Sequence, residues 1–296
     1  MLIGFEEIKT TLIQTYQNQK LHHAILLDGK EGIGKAFFAK EFVKEILKNN
    51  FSDLLLIEKD EGKRDINVDK VRKISDFVNQ TSAGNNDKFI IIDSACQLNK
   101  SASNALLKIL EEPNSKNFLI LISHNLNQVL PTIRSRCQIV KIKDHNFTNF
   151  SKIIEKNINF SLEEKEFLAE IFNNSPAQVI NFGAQTSRFY QLFLRSLLNK
   201  QLSDELIKII SEKNFDFTIF ARIFQFLISR FIKNFHQNQQ KLFFEEKEVF
   251  AKLKEKFSLE KILKINDEIT PNLNKVSHLY LDKKLALINI FNQLSL

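Results

Sequence analysis

Between residues 24 and 142, five short apolar runs alternate with segments of helical period, and this limits the fold more than any other feature of the 296-residue chain. The runs are AILL (24–27), LLLI (54–57), FIII (89–92), FLILI (118–122) and QIVKI (138–142). Apart from Gln138 and Lys141 in the last, the runs are apolar throughout rather than alternating, as strands buried on both faces should be. Between them, residues 36–47 place Phe38, Phe42, Val43, Ile46 and Leu47 on one helical face, and residues 68–78 do the same with Val71, Ile74 and Val78. SASNALLKILEE (101–112) is a third helix, stopped by Pro113. Such alternation predicts an α/β domain with a five-stranded parallel sheet and helices on both faces.

After residue 143 the strand-like runs stop. FTNFSKIIEKNINF, SLEEKEFLAEIF and SPAQVINFG read as three short helices. The second begins with an S-x-x-E capping box, Ser161 and Glu164. The third begins with Ser175 as cap and Pro176 at the first helical position. From Thr186 onward the pattern stays helical, with polar breaks near 199–203, 237–240 and 270–274. The expected division is therefore 1–143, 144–185 and 186–296, an α/β domain followed by two all-α domains.

With 43% hydrophobic and 26% charged residues, the chain has an ordinary globular composition. No apolar run approaches the ~18 residues needed to cross a bilayer, and MLIGFEEIKT lacks the pattern of a signal peptide. The two separated cysteines, Cys96 and Cys137, make neither a zinc site nor a disulfide framework. A cytoplasmic protein with no membrane partner is expected. Residues 186–296 carry +6 of the net charge of +7. Two readings of that excess stand, a basic surface near DNA or the solvated faces of Lys-rich helices.

The residues that bear on chemistry start at GKEGIGKAFF (29–38). Gly29, Gly32 and Gly34 follow a strand and precede a helix, where backbone N–H groups and the helix dipole make an anion site that Lys35 can serve. A phosphate loop of this form needs a Ser or Thr hydroxyl after the lysine for Mg²⁺, and here the residue is Ala36. Asp93, at the end of the third run, keeps open a role in orienting Mg²⁺, but the next residue is Ser94, which cannot act as a carboxylate base. The loop alone leaves three readings: an ATPase, a degenerate ATPase, or a structural turn. In PTIRSRCQIV (131–140), Arg134 and Arg136 stand before the last strand; two such arginines alone read as surface charge, but at the end of a nucleotide-binding domain a neighbouring subunit's ATP could be reached from there.

The runs IIIDSACQLNKSASNALLKILEEP and FLILISHNLNQVLPTIRSRCQIV, with LHHAILLDGKEGIGK, resemble bacterial clamp-loader subunits of the AAA+ superfamily over most of residues 1–142. Within that family the similarity is greater to the delta-prime branch of DNA polymerase III than to the gamma/tau motors, which should have kept the groups missing at Ala36 and Ser94. The resemblance implies an AAA+ domain, a helical lid and a helical collar, and maps an arginine finger acting in trans onto Arg136. It also implies a hetero-pentameric ring with gamma/tau and delta subunits that loads a sliding clamp onto primed DNA. ATP or ADP would be held without hydrolysis or not at all, and no cofactor is required. The sensor position after the fourth strand falls at Ser123. No arginine occupies the sensor region of SPAQVI, and KEILKNNFSDLLLI lacks the cysteines of the family's zinc module, so zinc is not expected. A weakly active clamp-loader ATPase, and an unrelated P-loop kinase for small molecules, are the competing readings.

Overall fold

All five apolar runs are strands in the computed structural model, which describes residues 2–48, 51–60, 62–79, 87–113, 116–212, 215–236, 240–279 and 283–295. They are β1 (Ala24–Asp28), β2 (Leu54–Ile57), β3 (Lys88–Ile92), β4 (Asn117–Ser123) and β5 (Gln138–Lys141). They form one parallel sheet in the order β2-β3-β4-β1-β5. Successive residues of a strand point to opposite faces, and the core divides accordingly. Ile25, Leu27, Phe89, Ile91, Ile120 and Ile122 pack against α1 (Glu6–Gln17) and α2 (Lys35–Ile46). Leu26, Ile90, Ile92, Leu119 and Leu121 pack against α3 (Val68–Asn79), α4 (Lys100–Glu111) and the short α5 (Pro131–Arg134). Helices therefore cover both faces. The expectation of burial on both faces holds for β1, β3 and β4 but not for the edges. Three of the four β5 residues are exposed, Ile139 among them, because β1 alone pairs with that strand.

The chain falls into two compact units, residues Met1–Ile153 with Ser175–Ala177, and residues Ile154–Asn174 with Gln178–Leu296. The second is helical. It holds the end of α6 (Phe147–Glu155), α7 (Leu162–Ile171), most of α8 (Pro176–Asn199), α9 (Asp204–Ser211), α10 (Phe217–His236), α11 (Glu246–Lys256), α12 (Leu259–Leu279) and α13 (Lys283–Leu294). The capping box at Ser161 and Glu164 forms as expected.

The expected boundary at 185/186 falls inside α8, a 24-residue helix where a short one was expected. Gly183 does not end that helix. A Cβ there would lie 3.0 Å from Val179 and 3.2 Å from Phe160, so the glycine serves close packing. The expected break at 270–274 lies within α12, which carries Pro271 inside it, and most of the break at 237–240 lies outside the described residues. The core of this unit holds a charge that the reading of solvated helix faces did not foresee. Arg230, 2% exposed, bonds both carboxylate oxygens of fully buried Glu246 at 2.8 Å and reaches Glu170 at 2.7 Å. Tyr190 Oη and the Phe243 N–H also donate to Glu246, so its carboxylate is met on both oxygens.

Candidate functional site: the glycine loop and the Arg136 turn

The register of the sheet gathers the expected site residues at one edge. Asp28 at the end of β1 pairs with Ser123 at the end of β4, and the Gly29 N–H donates to the Ser123 carbonyl at 3.3 Å. Asp93 follows β3, the other neighbour of β4. The carboxyl edge of a parallel sheet is where ligands bind in such folds. Gly29, Gly32, Gly34, Lys35, Asp93 and Ser123 are thus brought together, while Arg136 stands apart, after α5 and before β5.

The glycines are required by the backbone. A Cβ on Gly29 would lie 2.6 Å from the Ile142 carbonyl oxygen. Gly34, the residue before α2, has φ of +99°, which side chains disfavour. No side chain caps the start of α2, so its first N–H groups keep the character of an anion site.

The loop's carbonyls are another matter, since each of the five from Gly29 to Ile33 has a named donor. Lys35 Nζ donates to Gly29 O at 2.7 Å and Lys30 O at 2.5 Å. Ser175 Oγ donates to Glu31 O at 3.2 Å, and the Ala177 N–H donates to Gly32 O at 3.1 Å. His145 Nε2 donates to Ile33 O at 2.9 Å. His145 is buried, its ring centre 4.9 Å from that of Phe5, and Phe5 in turn packs on Phe38 of α2. The loop is therefore fastened by three separate stretches of chain: its own lysine, the segment after β5, and the first turn of α8.

Lys35 was expected to serve phosphate. Here it is 5% exposed and turned onto the loop's own carbonyls. Burial lowers its pKa, against the opposing pull of Asp93 and Asp28. Asp93 is shifted the other way. Burial raises its pKa, Glu58 adds to the rise, and Lys40, Ser94 and Lys35 oppose it. Ser94 sits at φ of +66° and donates its hydroxyl to Asp93 Oδ1 at 3.4 Å. Ser123 is fully buried, and its Oγ accepts the Asn125 N–H at 3.1 Å, so this hydroxyl braces the turn after β4. Ala36 and Ser94 supply neither a hydroxyl for Mg²⁺ nor a carboxylate base, and these residues do not fit a hydrolytic Mg-nucleotide site.

Arg136 is built differently. Its Nη1 donates to Thr132 O at 3.0 Å and its Nη2 to Glu111 Oε1 at 2.9 Å. The side chain is 36% exposed and that of Glu111 is 51% exposed, so the pair lies at the surface. Arg134, two residues earlier, has its Nε buried without a hydrogen-bond acceptor among the described residues.

Neither periodicity nor motif assigns a role to His145, Phe5 or Glu111. His145 carried no local signal, because its target is a carbonyl 112 residues away. Ser175 was noted as a helix cap, but its hydroxyl is used on the loop.

Comparison with known proteins agrees with this architecture. The family model described as DNA polymerase III, delta subunit, matches residues 43–146. Over 135 residues the chain is 36% identical to the DNA polymerase III subunit delta' of Pseudomonas aeruginosa, covering 39% of this chain and 41% of that one. Over 205 residues it is 30% identical to the DNA polymerase III subunit gamma of Buchnera aphidicola, covering 61% of this chain and 56% of that one. The chain thus spans about half the length of the curated relatives it matches. A DNA polymerase III gamma subunit-related protein of Thermotoga maritima has the same fold, with a TM-score of 0.52 and 22% identity over 99% of this chain and 98% of that one.

Proposed function

We propose, given that the chain belongs to the delta-prime family of DNA polymerase III clamp-loader subunits, that it is a non-motor member of a clamp loader. In this reading it sits in the cytoplasm, in a hetero-pentameric ring with gamma/tau and delta subunits, and the ring places a sliding clamp on primed DNA during replication. Residues 1–143 form the AAA+ domain, the next helices act as lid, and the helices toward residue 296 form a collar that packs against neighbours. Arg136 acts in trans on ATP held by a gamma/tau neighbour, where a guanidinium stabilises charge on the transferring phosphoryl group. The chain's own loop serves as architecture. It requires no cofactor and no zinc, and any ATP or ADP it holds is not hydrolysed.

One observation carries this reading. Arg136 rests on a surface carboxylate that a better acceptor can replace, while Lys35 is buried on its own loop's carbonyls. Retention of Lys35 and Asp93 favours the second reading, a weakly active motor of the gamma/tau kind. The test is clamp- and DNA-stimulated ATP hydrolysis by the reconstituted loader. Arg136→Ala should lower the rate by roughly 10³ or more, within the range known for arginines supplied in trans. Lys35→Ala in a folded subunit should leave the rate nearly unchanged. The reverse pattern would make this chain a motor and overturn the proposal.

A further inference from the structure

We propose that Glu111 is a positioning residue for Arg136, holding its guanidinium at the end of α4 and releasing it to a phosphate oxygen when a neighbour docks. The inference rests on the trans-acting role proposed above.

Three features support it. First, the guanidinium is fixed at two points of different kind, a backbone carbonyl four residues back and a carboxylate 25 residues away in sequence. Two of the fork's five N–H donors are used in this way, one from each terminal nitrogen. Together they set both the direction and the plane of the fork. Second, Glu111 is the last residue of α4 and Glu112 follows it, so two carboxylates stand at a helix C-terminus. The helix dipole disfavours negative charge there, and Lys108 is the only basic residue in the last turn. A carboxylate in that place makes sense if a cation is meant to rest on it. Third, both side chains are well exposed, and exposed ion pairs are weak. The contact can order a long side chain without competing with a bidentate guanidinium–phosphate interaction.

A free arginine would have to be ordered at each encounter, at a cost that Glu111 meets in advance. Losing the carboxylate should therefore slow catalysis rather than weaken nucleotide binding.

Two measurements test this. In the reconstituted loader, Glu111→Ala should lower kcat by about threefold to tenfold, the expected cost of immobilising one long side chain. KM for ATP should hold, and Glu111→Gln, which keeps an acceptor, should recover part of the loss. In the full-length subunit alone, side-chain ¹⁵Nε relaxation of Arg136 should report an ordered group that becomes mobile in Glu111→Ala. Unchanged relaxation, unchanged kcat or a faster rate in Glu111→Ala would each overturn the proposal, the last by making Glu111 a brake. Arg136→Ala separates the two levels. If that variant has no effect on hydrolysis, the trans-acting reading itself has failed, whatever the relaxation shows. If it abolishes hydrolysis while Glu111→Ala does nothing, only the positioning role has failed.

Discussion

The glycine loop after β1 and the turn before β5 each carry a cation that the sequence marks out for phosphate. Lys35 is 5% exposed, and its ammonium is spent on the carbonyls of Gly29 and Lys30. Arg136 is 36% exposed and rests on Glu111, itself half exposed. The acceptors account for the difference. Backbone carbonyls inside a tight loop cannot leave, and without a donor they remain dry and unpaired. A surface carboxylate gives up its partner to water or to a stronger anion at little cost. A cation of the first kind belongs to the fold, whereas one of the second kind is available to a partner.

This contrast breaks most visibly in stability. Lys35→Met removes the donor from two loop carbonyls and should destabilise the α/β unit by about 1–3 kcal/mol. Arg136→Ala should change stability by no more than about 1 kcal/mol, as for other exposed pairs. Denaturant unfolding of the two variants beside the unchanged chain measures both. Equal losses would mean that Arg136 is as much a part of the fold as Lys35. A smaller effect sharpens the same point. Ser175→Ala takes away the donor to the Glu31 carbonyl and should cost about 0.5–1.5 kcal/mol. If that variant unfolds like the parent, the start of α8 does not brace the loop.

The sheet was legible in the sequence because its signal is local. Runs such as AILL and FLILI are apolar at every position, and the structure places both in the middle of the sheet. Gly34 was legible for the same reason, since its φ of +99° belongs to the turn itself, whereas the crowding that requires Gly29 comes from the Ile142 carbonyl, far along the chain. Arg136 was found through its motif. What the sequence did not show is which partner each polar group takes. His145 reaches Ile33, Ser175 reaches Glu31 and Arg136 reaches Glu111, across separations of 112, 144 and 25 residues. No periodicity records such pairings. The buried Arg230–Glu246 pair was hidden in another way, because charges in amphipathic helices usually face solvent and these two face the core. The short helix expected over SPAQVINFG stops at Gly183, and only the crowding by Val179 and Phe160 shows that this glycine packs inside a continuous α8.

The smallest expected effect concerns the carboxylate that faces the loop. Burial and the nearby Glu58 raise the pKa of Asp93 above its ordinary value of 3.8. Between that value and the raised one, the folded chain binds a proton that the unfolded chain has released. Stability must then fall as pH rises through the window, and the whole penalty is present above the raised value. Asp93→Asn keeps the oxygen that accepts the Ser94 hydroxyl and removes the charge. It should therefore be slightly more stable than the parent near pH 7, and the gain should shrink as pH falls toward 3.8. Thermal unfolding at matched pH values measures the difference. Should Asp93→Asn be the less stable form at neutral pH, the carboxylate is wanted in its charged state by Lys35 and Lys40. The loop would then hold a working ion pair of its own, and its contrast with the Arg136 turn would narrow.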